Sequence, residues 1–150
     1  MSKLKIGDTA PEINSVDQNN ESITLEQFKG KKVVLYFYPK DMTPGCTVQS
    51  CNLRDNYKVL LEKGYAVLGC SIDSPARHVK FIEKYDLPFS LISDEDKKVV
   101  EDYGVWGLKK FMGKEYMGIN RTTFIINEKG EIEDIIEKVN TKDHTSQILN

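Results

Sequence analysis

Three cysteines stand in a chain of 150 residues, two of them in the run Pro39-Lys-Asp-Met-Thr-Pro-Gly-Cys-Thr-Val-Gln-Ser-Cys51. Pro44 and Gly45 prepare a helix start at Cys46. A cysteine in a first helical turn faces unpaired N–H donors and the positive end of the macrodipole, which both favour thiolate over thiol. Cys46 is therefore expected to be an acidic, nucleophilic cysteine. Pro39 and Pro44 shape a narrow loop around the sulfur, Thr43 offers a hydroxyl that donates and accepts, and Cys51 supplies a second thiol five positions on. On an intact helix five residues rise ~7.5 Å and turn ~140°, placing the two Cα atoms ~8.7 Å apart. A disulfide spans at most about 7 Å, so a Cys46–Cys51 bond requires the first turns to unwind and makes oxidation a conformational switch.

Other thiol chemistries fit less well. A C-x2-C pair would suit dithiol exchange, whereas C-x4-C suits a nucleophile and a resolver that meet after oxidation. Zinc would need two further ligands, and neither His78 nor His144 stands at metal-ligand spacing from a cysteine pair. Both are read as surface histidines. Cys70, inside an apolar run, reads as a small packing residue.

The elements that position this segment alternate. Apolar runs rich in β-branched and aromatic residues at 33–38, 66–72, 89–92, 122–126 and 132–136 are read as strands. Helical spacing links Val48, Leu53, Tyr57, Leu60 and Leu61, then Val79, Ile82 and Tyr85, then Val99, Val100 and Tyr103. Ser74-Pro75 marks one helix start, and Ser93 followed by Asp-Glu-Asp marks another, with 94–98 as a solvated first turn. A turn over 127–130 joins the last two strands, Ile13, Val16, Ile23 and Leu25 suggest a small N-terminal hairpin, and a short helix begins near Thr141 and stops at Asn150. Strand–helix alternation implies right-handed crossovers on a largely parallel sheet with helices on both faces, and ligands in such sheets sit beyond the strand ends, here after Tyr38. Phe111, Met112, Tyr116 and Met117 are read as core, with an exposed apolar patch as the alternative. Trp106 reads as a packing anchor, and Arg54 and Asp55 as helix-surface ions.

Composition excludes several classes. With 39% hydrophobic and 29% charged residues the chain reads as one domain over 1–150, long enough to bury a core without staples. A net charge of −2 supplies no field for nucleic acid. Neither a membrane-length apolar run nor a signal peptide is present, the start being Met1-Ser-Lys-Leu-Lys, so a cytoplasmic protein is expected.

The run YPKDMTPGCTVQSCNLRD closely resembles the active-site region of the peroxiredoxins, specifically the bacterioferritin-comigratory or PrxQ group. The resemblance continues through LGCSID, PFSLISDED, YGVWG and KKFMGKEYMGINRTTFII, nearly the whole chain. It implies a thioredoxin-like α/β fold with a central mixed sheet. It also implies a thiol peroxidase for hydrogen peroxide and organic hydroperoxides, without cofactor or metal, recharged by thioredoxin or a similar dithiol. Carried over, the P-x3-T-x2-C motif falls on Pro39, Thr43 and Cys46, the active-site arginine on Arg121, and the resolving cysteine on Cys51. Gln49 departs from the glutamate that many relatives carry. With both cysteines on one helix, no partner subunit is needed and a monomer is expected. The competing class is a redox switch that exposes an apolar face to a partner. It would be oxidised once, whereas a peroxidase turns over with a dithiol donor.

Overall fold

The computed structural model describes residues 4–149, so residues 1–3 of the polar start and Asn150 lie outside it. Strands β1 (Asn14–Val16), β2 (Ser22–Thr24), β3 (Lys32–Phe37), β4 (Tyr65–Ser71), β5 (Ser90–Ser93), β8 (Thr122–Ile126) and β9 (Ile132–Ile136) form one sheet in the order β2-β1-β5-β4-β3-β8-β9. A separate hairpin pairs β6 (Trp106–Phe111) with β7 (Lys114–Ile119). Helices are α1 (Pro44–Asp55), α2 (Tyr57–Glu62), α3 (Pro75–Tyr85), α4 (Lys98–Asp102) and α5 (His144–Leu149).

The sheet is mixed rather than largely parallel. Only β3/β4 and β4/β5 run parallel, because only these pairs are joined by helical crossovers, whereas β8 returns antiparallel to β3 and turns through 127–130 into β9. β3 alternates between two cores. Val33, Leu35 and Phe37 face a cluster with Phe124, Tyr103 and α4, and Val34, Tyr36 and Tyr38 face one with Leu53, Phe81 and Ile148 from α1, α3 and α5. Helices thus cover both faces. Cys70 is fully buried, as the packing reading requires, and β1 and β2 form the small hairpin that was expected.

Several local expectations are corrected. The helical pattern across 48–61 is two helices broken at Asn56, and Val48 is exposed. The buried stripe of α1 is Cys46, Gln49, Ser50 and Leu53, spaced i, i+3, i+4, i+7 but mostly polar, so apolar periodicity could not find it. Ser74 caps α3 by accepting from Arg77 N–H at 3.3 Å, as expected. Ser93 ends a strand instead of capping a helix. Asp94 takes that role, accepting from Val99 and Val100 N–H at 3.1 and 2.8 Å, and it is buried rather than solvated, which pushes its carboxyl up to about 6. The last helix starts at His144, not Thr141.

His78 and His144 are both fully buried, not surface residues. Each has polar partners at both ring nitrogens, which is how an interior accepts an imidazole. Phe111, Met112, Tyr116 and Met117 are exposed on the β6–β7 hairpin, Met112 by 86%, so the core reading fails. Trp106 packs at the edge of one core with Lys97 Nζ 5.1 Å over its ring. Arg54 binds Asp55 at 2.9 Å and donates to the Tyr85 carbonyl at 2.6 Å.

Candidate active site

The loop after β3 turns sharply at Met42, which takes the left-handed region at φ 68°, and delivers Thr43 as the N-cap of α1 with Pro44 at N1. The Thr43 side chain does not cap the helix. Its hydroxyl donates back to the Lys40 carbonyl at 2.8 Å, which spends its hydrogen and leaves its lone pairs as acceptors toward the loop. Cys46 falls in the first turn, only 1% exposed. Its sulfur accepts from Arg121 Nη2 at 3.2 Å, and Nη1 of the same guanidinium donates to Gln49 Oε1 at 2.6 Å. Arg121 reaches this position from the residue before β8, the strand that pairs with β3. Sheet pairing therefore brings together two residues far apart in sequence.

Gly45 leaves room for that arrangement, since a Cβ there would stand 3.2 Å from Arg121 Nη2. Gln49 is fully buried, and its Nε2 has no partner among the described residues. The neutral amide lets Arg121 keep its full charge toward the sulfur. Pro39 is partly buried at the start of the loop. Thus Pro39, Thr43, Cys46 and Arg121 lie around one loop and helix start.

Cys51 lies farther along the same unbroken helix, off its buried stripe and partly exposed, and all three cysteines are free. Burial pushes the Cys51 thiol up, with Asp55 adding to the effect and Arg54 opposing it. The intact helix keeps the two thiols out of bonding reach.

Three residues near the site escaped the sequence reading. Lys109 on β6 donates to the Ile119 carbonyl at 2.9 Å; burial and the nearby Arg121 push its ammonium down, with Cys46 opposing. No sequence signal marks it, because its strand lacks an alternating pattern. Asp41 and His78 meet under the loop at 2.6 Å, and only the acid beside the cysteine motif could have hinted at them. With Asp73 they form the cluster among the described residues close enough to hold a metal, their ligand atoms within 4.8 Å of one another. Every carboxylate oxygen and ring nitrogen in it already has a protein partner, so a cation would have to displace those bonds. Cavity size does not point to the site. A cavity of about 510 Å³ lies between the N-terminal hairpin and β3, and one of about 470 Å³ reaches Arg121 but not Cys46.

A buried first-turn cysteine hydrogen-bonded to an arginine at the entry to a sheet strand points to a thiol-redox class of thioredoxin-like protein, and comparison with known proteins narrows it. The chain belongs to the AhpC/TSA family, whose model matches residues 6–135, and within it to the Bcp/PrxQ peroxiredoxins. It is 49% identical to peroxiredoxin Bcp of Escherichia coli K12 over 150 residues, covering 100% of this chain and 96% of that one. Identity to peroxiredoxin Bcp of Bacillus subtilis 168 is 45% over 146 residues, covering 97% and 93%. Among solved structures, a mutant of Xylella fastidiosa PrxQ superposes with a TM-score of 0.92 at 29% identity, covering 100% and 96% of the two chains. Xanthomonas campestris peroxiredoxin Q gives 0.85 at 31%, covering 91% and 87%. The protein is a peroxiredoxin enzyme with a thioredoxin-like fold.

Proposed function

We propose that Cys46 is the peroxide-reactive nucleophile and that Cys51 resolves it within the same chain. The observation that carries this reading is the Arg121 guanidinium 3.2 Å from a buried first-turn sulfur. The Cys46 thiolate attacks the terminal oxygen of hydrogen peroxide or an organic hydroperoxide. The O–O bond breaks, water or alcohol leaves with a proton, and the sulfur becomes a sulfenic acid. Thr43, as an acceptor, orients the hydroperoxide O–H, while the Arg121 fork and the first-turn N–H groups stabilise charge on the separating oxygens.

Resolution follows from the geometry of α1. Burial disfavours the Cys51 thiolate while the helix is folded; uncoiling removes that penalty and lets Cys51 approach. It attacks the sulfenic sulfur, an S–S bond forms, and the sulfenic oxygen departs as water. Thioredoxin or a similar dithiol then supplies two electrons in the reducing cytoplasm. Because both cysteines lie on one helix, the cycle runs in a monomer. Mixing reduced protein with one equivalent of hydrogen peroxide, quenching within about a second and mapping the cysteines by mass spectrometry tests this. A Cys46–Cys51 disulfide is expected. Unreacted thiols or oxidation centred on Cys70 would overturn the assignment.

A further inference from the structure

Beneath the loop that carries Thr43 lies a buried ionic cluster that the chemistry above does not use. Asp41 is 1%, Asp73 7% and His78 0% exposed, and they come from three separate places: the loop itself, the turn just after β4 and the first turn of α3. Asp41 Oδ1 accepts from Tyr38 Oη at 2.5 Å, and Oδ2 meets His78 Nδ1 at 2.6 Å. The other ring nitrogen, Nε2, meets the Ile92 carbonyl at 3.0 Å. A carbonyl only accepts, so Nε2 is the nitrogen that donates, toward Ile92. Asp73 Oδ2 accepts from the Asp41 N–H at 2.8 Å and from Ser71 Oγ at 2.6 Å, and its Oδ1 accepts from Arg77 Nε at 2.9 Å.

One peptide unit links this cluster to the site. The N–H held by Asp73 and the carbonyl that receives the Thr43 hydroxyl belong to the same peptide, the one joining Lys40 to Asp41. A carboxylate on the N–H side fixes the plane of that peptide and polarises its carbonyl. The carbonyl in turn fixes the direction of the Thr43 O–H, and so the direction of its free lone pairs. No bond of the cluster runs through α1. The next residue, Met42, is exposed and left-handed, so the fixed region ends at Asp41 and the part that must uncoil begins beyond it.

We propose that Asp41, His78 and Asp73 are positioning residues for peroxide attack, holding the Lys40–Asp41 peptide so that the Thr43 hydroxyl presents an acceptor to the substrate. This rests on the peroxidase reading of Cys46. The cluster serves the first chemical step and not the second, because uncoiling of α1 leaves it intact. It acts through geometry rather than net charge, since an amide at position 41 could still accept from Tyr38 and would supply the hydrogen toward Nδ1.

The test is rapid-quench oxidation of the full-length reduced protein by hydrogen peroxide, with sulfenic acid and disulfide quantified separately by mass spectrometry. Asp41→Ala should slow Cys46 oxidation roughly tenfold or more, because small misplacements of reacting groups carry costs of that order. Asp41→Asn should stay within about threefold of wild type, and the subsequent condensation with Cys51 should stay within about twofold in both. Asp41→Ala alone orphans a buried imidazole and could weaken the fold, so Asp41→Ala/His78→Leu replaces both partners by apolar groups. That pair should melt near the wild type and still oxidise slowly. The inference is overturned if the double variant reacts at the wild-type rate, if Asp41→Asn loses as much as Asp41→Ala, or if the losses simply follow the melting temperature. A wild-type protein whose Cys46 does not react removes the peroxidase reading itself. A reactive wild type with equally reactive variants removes only the positioning role.

Discussion

Cys46 is 1% exposed, sits on the buried stripe of α1 and receives a hydrogen bond from Arg121, whereas Cys51 is partly exposed, lies off that stripe and is pushed up by burial. In the cycle proposed above, one sulfur reacts in the folded helix and the other waits until the helix opens. The stripe itself explains how opening is affordable. Gln49 and Ser50 contribute little apolar area, and of the stripe only Cys46 and Leu53 join the apolar core. Ser50 is tied to Tyr36 by a 2.9 Å hydrogen bond between hydroxyls. Beyond Cys51 the hold is polar too: Asn52 accepts from Thr145 N–H at 2.9 Å and from Thr145 Oγ1 at 2.8 Å, and donates to the Lys142 carbonyl at 3.1 Å. A helix fastened by separate polar bonds can come undone in part, where one fastened by a wide apolar face could not.

Exchanging the sulfurs one at a time breaks this comparison most severely. Cys46→Ser should abolish turnover with a dithiol donor, while Cys51→Ser should react once and then advance to sulfinic acid as peroxide is raised. Equal hyperoxidation of wild type and Cys51→Ser across a peroxide titration would remove Cys51 as resolver. Arg121→Ala should lower the rate constant for peroxide by ~10²–10³ with an unchanged circular dichroism spectrum, the scale of losing a charge-stabilising donor. Near-normal kinetics would show that the N-terminal half of α1 prepares Cys46 without it.

Smaller effects sharpen the contrast at the other end. Asn52→Ala should cost about 1–2 kcal/mol in denaturant unfolding and speed disulfide formation several-fold by releasing the C-terminal segment. An unchanged condensation rate would mean that uncoiling stops before Asn52. The smallest effect is a pH dependence. Burial pushes the His144 imidazole down from its usual 6.5, with the Gln147 hydrogen bond opposing and Arg121 adding to the shift. The unfolded chain then takes up a proton before the folded chain does, so this contribution to stability is lost as pH falls below 6.5. Asp94, pushed up to about 6, acts in the opposite sense, favouring the fold in its protonated form. Hydrogen exchange of the α5 amides isolates the first effect: protection should fall on acidification, and His144→Gln should flatten the response.

The strand–helix alternation, the loop after β3 and the cysteine at a helix start were legible because each is a local pattern. What escaped depends on distance or on exposure. The Asp41–His78 pair spans 37 positions, and nothing near either residue announces the other. β6 and β7 pair only with each other and leave most of their side chains exposed, so the strand pattern that revealed β8 was absent there. Val48 suggested the wrong face of α1 because the buried face carries Gln49 and Ser50, polar residues that an apolar pattern passes over. Arg121 had no local mark as a site residue; only the resemblance singled it out.

The pairing of β8 with β3 also sets an order of events while the chain is being made. Cys46 and Arg121 stand 75 positions apart. At ~5–20 residues per second the ribosome finishes Cys46 on the order of 4–15 s before it reaches Arg121. During that interval β3 has no β8 beside it, and the cysteine has no guanidinium. The contact between Cys46 and Arg121 therefore comes into being only when the last quarter of the sequence joins the sheet.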